Sequence, residues 1–459
     1  MKKSLLFYLL SPLLLMIPAF YNGYPLVFSD TGTYIKSGME LIIPSDRPIM
    51  YGLFIRFFSF GHSLWPVIYV QSLLVTYCLW QISKLSYNRI KYEIFLFMLF
   101  ILGCFTGLGW YSSQIMADIF TVTTIISFIF LLYTEKITTV QKAIWAGILI
   151  FSLNVHFSNF PILITIIFGL LIFKRSTHLF KRIKFIVFLL ILTIGTAYLT
   201  NFVVNKTFKI GQGSHVFLMG KMLDSGVLKS FLDNNCNENK YVFCECKNSL
   251  PRDSRELLWS PDSPLGIHGG WITSNEAYNK LLLGILTSPK HLFLFIYNSF
   301  FSSVSQLFQN DLGSGLTDEW YRDPNSPPHT QIINHFQFEL NQYNQARQNG
   351  NLWNQELKIS FVNSVYHIIL TISIFFLFTI FLLNKFKEIV NYRTQLIILG
   401  LLIANISNAI ITASLANVYD RLQARTSWMI IFCALIIFTS NKNYFLNKLK
   451  LFLTTPKLQ

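Results

Sequence analysis

A chain of 459 residues that is 52% hydrophobic and 16% aromatic, with 13% charged residues and a mean hydropathy of +0.45, is not composed like a soluble domain, which carries about 25% charged residues. Apolar runs of helical length recur along it, which marks an all-α polytopic membrane protein and excludes a β-barrel of short alternating strands. The net charge of +15 does not point to nucleic acid, because Lys and Arg sit in short connectors between apolar runs, where they orient helices.

The first element, MKKSLLFYLLSPLLLMIPAFYNG, has the charged start and apolar core of a signal peptide but no small-x-small cleavage site before Asp30. It reads as a retained first transmembrane helix with Lys2 and Lys3 in the cytoplasm. Taking about 17–25 residues per crossing, the expected spans are roughly 5–22, 64–83, 93–110, 119–134, 143–159, 161–174, 184–204, 362–384, 394–415 and 428–440, about ten in all. Seven lie in an N-terminal module, 1–204, whose first outer loop is 23–62. The last three lie in 362–459.

Connector charges set the expected orientation. Lys84, Arg89 and Lys91, then Lys136 and Lys142, then Lys174, Arg175, Lys181, Arg182 and Lys184 fall on one side, with Lys385, Lys387 and Arg393 and the tail residues Lys442, Lys448 and Lys450. The connectors 111–118 and 159–161 hold no Lys or Arg. Both termini are therefore expected in the cytoplasm, of a bacterial inner membrane. The apolar stretch 288–309 reads as an amphipathic or membrane-surface helix, because a crossing there would put Lys385, Lys387 and Arg393 outside.

Between the two membrane modules, 205–361 is polar and turn-rich and reads as a large extracytoplasmic region. It holds Cys236, Cys244 and Cys246. An oxidising compartment permits one disulfide, from Cys236 to either Cys244 or Cys246, with free thiols as the plainer alternative. Asn205-Lys206-Thr207 fits a glycosylation sequon, which means little in a bacterium.

This topology gathers unusual polar residues at one membrane face. Asp30 follows the first span, with Tyr34 one helical turn on, in LVFSDTGTYIKSG. Arg47 and Arg56 belong to the same outer loop. Asp118 opens the fourth span, His156 closes the fifth, and Arg421 and Arg425 sit between the last two spans, outside again. Ionisable groups at a membrane boundary are function candidates. Each has a plainer role open to it: Asp30 or Asp118 as a helix cap, His156 as a packed histidine, the arginines as snorkelling side chains.

As a set they suit a transferase whose leaving group is a lipid phosphate. Arg421 and Arg425, spaced (i, i+4), would clamp the phosphate, and a carboxylate would take the proton of an attacking hydroxyl or amine. No Gly-rich nucleotide cradle is present. A polyprenyl-phosphate sugar presents its phosphate at headgroup level and fits this face. Tyr34, Arg47, His156, Arg421 and Arg425 are the candidate substrate-binding residues.

The stretch FSDTGTYIKSGMELIIPSDRPIMYGLFIRFF and the later QIMADIFT resemble motifs of the GT-C superfamily of multispanning glycosyltransferases, such as the protein O-mannosyltransferases and lipid A aminoarabinose transferases. Those enzymes carry an acidic residue just after the first span and another at the outer start of the fourth. The resemblance implies a GT-C-like fold, Asp30 as catalytic base, Asp118 as its helper, and inverting transfer from a polyprenyl-phosphate-linked sugar to a glycan, lipid or protein acceptor. The first-loop motif has one carboxylate where many relatives have two. No metal is required, although Asp30 and Asp118 are the pair that would share a divalent ion. Two other functions fit the composition: a transporter or flippase of lipid-linked saccharides, and a non-enzymatic subunit of a cell-envelope assembly machine.

Overall fold

The computed structural model describes residues 2–87, 90–173, 177–206, 211, 213–236, 241–317, 319–350, 356–383, 385–442 and 444–445. Arg89, Lys174, Arg175, Lys448 and Lys450 of the charge pattern, and Thr207 of the sequon, lie outside the described residues. The described residues form helices and turns with no strand, and their one β-type pairing is an isolated parallel bridge between Leu26 and Gln114.

In chain order, α1 (Lys2–Leu10) and α2 (Ile17–Asn22) are joined by a 3-10 turn, and α3 (Ser29–Glu40) and α4 (Met50–Ser59) make a hairpin in the first outer loop. The N-terminal bundle continues with α5 (Trp65–Ser86), α6 (Tyr92–Phe105), α7 (Gly107–Ser112), α8 (Phe120–Tyr133), α9 (Thr139–Val155), α10 (Asn159–Phe173) and α11 (Thr177–Asn205). Six helices follow: α12 (Ser214–Asp224), α13 (Val227–Asn235), α14 (Ser254–Trp259), α15 (Pro264–Ile267), α16 (Gly270–Thr273) and α17 (Asn275–Thr287). Then come α18 (Pro289–Leu307), α19 (Pro327–His335) and α20 (Leu340–Gln345), and finally α21 (Ser360–Leu382), α22 (Phe386–Ile389), α23 (Tyr392–Leu415) and α24 (Asp420–Ser440).

Five described helices are long and apolar enough to cross a membrane: Leu5–Asn22, Phe180–Asn205, Ser360–Leu382, Tyr392–Leu415 and Asp420–Ser440. The other expected spans differ for local reasons. The run over 93–110 breaks at Thr106, whose hydroxyl accepts the Leu108 N–H at 3.2 Å and starts α7. Helix α8 is short and buried on every side, as a helix apolar all round is when it sits at the centre of a bundle. Helices α9 and α10 are likewise short, at 17 and 15 residues. Helix α5 has 22 residues but turns Gln71, Ser72 and Thr76 inward. Helix α18 passes as a crossing only together with α17, from which it bends by 91°. It packs against α23 and leaves Phe293, Tyr297, Phe300 and Phe301 exposed.

The 205–361 region divides in two. Val216, Met219, Phe231, Leu257, Tyr278 and Ile285 form a core of their own, closed by a disulfide between Cys236 and Cys244. Cys246 is free. Leu312, Tyr321, Ile332, Phe336 and Tyr343 belong instead to the main core. That second part is sewn onto the start of the first outer loop. Gln348 accepts the Val27 N–H at 3.0 Å and donates to the Val27 and Leu316 carbonyls at 2.6 and 2.9 Å. Buried Glu339 accepts from Tyr24 Oη at 2.8 Å, Ser63 Oγ at 2.5 Å and Leu64 N at 3.1 Å.

The α3–α4 hairpin closes through glycine. A Cβ on Gly38 would lie 1.9 Å from the Gly52 carbonyl oxygen, a separation no larger residue can hold. Arg56 completes the hairpin by donating to the Gly38 and Met39 carbonyls at 3.2 and 2.8 Å, where α3 leaves its last acceptors unpaired.

Candidate active site

Two backbone bonds bring the Asp30 and Asp118 segments together. Leu26 N donates to Ser113 O and Ile115 N to Leu26 O, both at 2.9 Å. The N-cap of α3 is Phe28 in an extended conformation, not Asp30. Thr31 Oγ1 accepts the Phe28 N–H at 2.9 Å and donates to Ile115 O at 3.0 Å. Asp30 is thus released from capping. It stands in the first turn, where the helix terminus favours an anion.

Its carboxylate meets two arginines from opposite ends of the chain. Arg47 Nη1 lies 3.2 Å and Arg421 Nη1 3.5 Å from Asp30 Oδ2, and the Asp30 side chain stays 23% exposed. Burial works against the charge, but Arg47 and then Arg421 outweigh it and hold the carboxyl at about 2. Asp46 holds the other side of the Arg47 fork, accepting from Nε at 2.9 Å and Nη2 at 2.5 Å. Although Nη1 is within ion-pair range of Asp30, it makes no aligned hydrogen bond. We take it as a buried donor still seeking an acceptor, since misalignment weakens a hydrogen bond steeply. Tyr34 lies under Arg47, with its ring centroid 4.9 Å from the guanidinium carbon. Burial pushes its phenol well above the usual value, so it stays neutral.

Arg421 stacks on Phe28, 4.1 Å from guanidinium carbon to ring centroid. Its carbonyl accepts from Tyr111 Oη at 2.8 Å. Helix α24 gets this close because residue 107 is glycine: a Cβ there would lie 2.4 Å from the Ala424 carbonyl oxygen.

Arg425 and Asp118 form a different kind of pair. They meet at 2.8 Å with side chains 0% and 2% exposed. Asn408 Oδ1 accepts from Arg425 Nε at 3.2 Å and Nη2 at 2.9 Å, and Ser158 Oγ accepts from Nη2 at 3.2 Å. Ser158 Oγ also pairs with His156 Nδ1 at 2.8 Å, and the Ser158 N–H points at the same nitrogen at 3.2 Å. His156 therefore reaches the cluster through Ser158.

The structure brings all seven candidates, Asp30, Tyr34, Arg47, Asp118, His156, Arg421 and Arg425, into one neighbourhood but distributes them in two layers. Asp30, Arg47 and Arg421 are partly accessible. Asp118 and Arg425 are sealed and satisfied beneath them. The expectation that Arg421 and Arg425 clamp a ligand together is corrected: their (i, i+4) spacing does align them on one helix face, but one turn deeper puts Arg425 inside the protein. Arg47 is the accessible partner of Arg421. Asp118 positions Arg425 and does not reach the surface.

Several participants escaped the sequence reading. Asp46 adjoins Arg47, yet its grip on the guanidinium depends on the turn before α4. Asn408 had a signal, a polar amide inside an apolar span. Phe28 and Ser158 had none.

Among the described residues no three His, Cys, Asp or Glu side chains gather as a metal site. Asp30 and Asp118 are each engaged by arginine.

No protein-family model, curated protein or solved structure matches the chain.

Proposed function

We propose that the protein is a membrane glycosyltransferase that moves a sugar from a polyprenyl-phosphate donor to a glycan, lipid or protein acceptor on the extracytoplasmic face, with inversion and with Asp30 as base. The observation that carries this reading is the partly exposed Asp30 carboxylate set between Arg47 and Arg421, at 3.2 and 3.5 Å. On the same footing we read the architecture as GT-C-like, with about ten crossings, in a bacterial inner membrane with both termini cytoplasmic.

In the resting site the charges balance: Arg47, Arg421 and Arg425 face Asp30, Asp46 and Asp118. A carboxylate held by two guanidiniums is a weak base. The donor phosphodiester offers those guanidiniums two non-bridging oxygens in a matching fork geometry. As they turn to it, Asp30 recovers its basicity. The acceptor oxygen or nitrogen then attacks the anomeric carbon from the face opposite the phosphate. The bond from that carbon to the phosphate oxygen breaks with its electron pair on oxygen, and the acceptor proton passes to Asp30. Proton uptake cancels one negative charge in the cluster as the leaving phosphate gains one, so the arginines serve the departing group. One displacement inverts the centre.

The test is transfer from a panel of polyprenyl-phosphate sugars to membrane acceptors by the purified protein. Asp30→Asn is expected to abolish transfer while remaining folded, and full activity in that variant would refute the base assignment. Arg47→Ala and Arg421→Ala are each expected to weaken donor binding.

A second reading, movement of a lipid-linked saccharide across the bilayer, draws on a polar ladder between α23 and α24. Gln423 links Asn405 and Asn408 at 2.9 and 3.0 Å, and Asn408 joins Arg425. Its mark would be scrambling of a labelled lipid-linked saccharide in liposomes that persists in Asp30→Asn.

A further inference from the structure

Trp110 presents a group that the site chemistry so far leaves unused. The residue is 3% exposed, and its indole Nε1–H is buried without a hydrogen-bond partner among the described residues. Buried indole N–H groups normally find an acceptor, so an orphan calls for an explanation. Trp110 lines a small cavity together with Gln114, Ser314 and Arg421. The cavity has a volume of about 10 Å³, room for one water-sized oxygen and no more.

Arg421 supplies the second donor. Besides its stack on Phe28, its side chain makes a single long hydrogen bond among the described residues, from Nη1 to Asp30 at 3.5 Å. Nε and Nη2 have no protein acceptor among the described residues. The roof is the 312–316 turn, and it is fixed from three sides. Leu312 N donates to Asn363 Oδ1 at 2.7 Å, Gly315 O accepts from Tyr321 Oη at 2.5 Å, and Leu316 O accepts from Gln348 at 2.9 Å. Gly315 has a φ of +74° and approaches Phe28 so closely that a Cβ would lie 2.1 Å from its ring. The hole is thus preformed, and it opens beside the arginine that also faces Asp30.

We infer that Trp110 Nε1–H and the Arg421 guanidinium form a subsite for one non-bridging oxygen of the donor phosphate, with the rest of that phosphate lying toward Arg47. Trp110 and Arg421 both line this hole one water-sized oxygen wide, and two such donors favour an anionic oxygen over a neutral one, because hydrogen bonds to charged acceptors are roughly twice as strong. The inference rests on the reading of this site as one for a lipid phosphate, and the experiment separates the two.

Binding of polyprenyl monophosphate in detergent micelles is measured for the wild type, Arg421→Ala and Trp110→Phe, with inorganic phosphate as competitor. Wild-type binding is expected, with affinity about tenfold or more weaker in Trp110→Phe. Polyprenol, which lacks the phosphate, should show no such dependence. Replacing Trp110 by benzothienylalanine, which keeps the bicyclic shape and removes only the N–H, should reproduce the loss if Trp110→Phe fails to fold. Unchanged affinity in the benzothienylalanine protein, with loss in Arg421→Ala, would overturn the subsite and leave the phosphate reading standing. Absence of lipid-phosphate binding in the wild type would overturn both. Inorganic phosphate that competes in the wild type and loses that ability without the Trp110 N–H supports the subsite as one that reads the phosphate alone.

Discussion

Arg421 reaches the carboxylate of Asp30 at 3.5 Å across a sequence separation of 391. The contact joins the first turn of α3 to the first turn of α24, so the candidate site forms only when the two ends of the chain pack together. Its geometry is loose beside the 2.8 Å pair of Arg425 and Asp118 one turn deeper. A loose, partly exposed contact can be exchanged for a ligand. A sealed and fully bonded one cannot.

This difference sets a pH signature. Arg47 and Arg421 hold Asp30 at about 2 in the free protein, below the ordinary value near 4. A depressed carboxyl contributes stability that is present above the unfolded-state value and is lost as pH falls through the folded one. The contribution of Asp30 should therefore be constant above about pH 4 and disappear toward pH 2. For activity, kcat/KM reports the free enzyme and kcat the donor complex. If the donor phosphate draws the arginines away as proposed, the acidic limb of kcat should lie at higher pH than that of kcat/KM. Coincident limbs in the two profiles would show that the arginines stay on Asp30 throughout.

Asp118 and Arg425 should behave as a structural unit. Removing one partner of a buried ion pair leaves an uncompensated charge and costs about 3–5 kcal/mol. Arg425→Ala is expected to lower thermal stability in detergent strongly. Adding Asp118→Leu should restore part of the loss, because no unpaired charge then remains. A double variant as unstable as the sum of the two single ones would mean that the pair is not coupled.

Glu339 is the acidic residue that docks the 319–350 segment on the outer loop. Glu339→Ala leaves the Tyr24 hydroxyl, the Ser63 hydroxyl and the Leu64 amide without their acceptor, at about 1–3 kcal/mol for each buried group. Limited proteolysis should then cut within 319–350 at protease levels that spare the wild type. An unchanged cleavage pattern would argue that the other bonds across this seam, from Gln348, Gln342, Arg347 and Tyr321, hold the segment without Glu339.

The sequence by itself determined the class of this protein, because a membrane's demand for apolar length is written locally, residue after residue. It also nominated Asp30, Asp118 and the arginines, since a charge beside an apolar run stands out in one dimension. Each of the five long apolar helices among the described residues overlaps an expected run, although the last begins at Asp420, well before the expected 428, whereas the shorter ones did not declare their limits. Thr106 breaks one run by a local cap, and α8 is apolar because it is buried in the bundle. Depth was the property only tertiary structure decided. Arg421 and Arg425 differ by one turn of the same helix and look equivalent in sequence. Packing against α7, permitted by Gly107, puts one beside the opening and the other inside. The separation of 205–361 into a disulfide-closed unit and a segment stitched to the first outer loop was equally invisible. Cores are sums of contacts between residues far apart in the chain, and no local pattern encodes which distant partners they will meet.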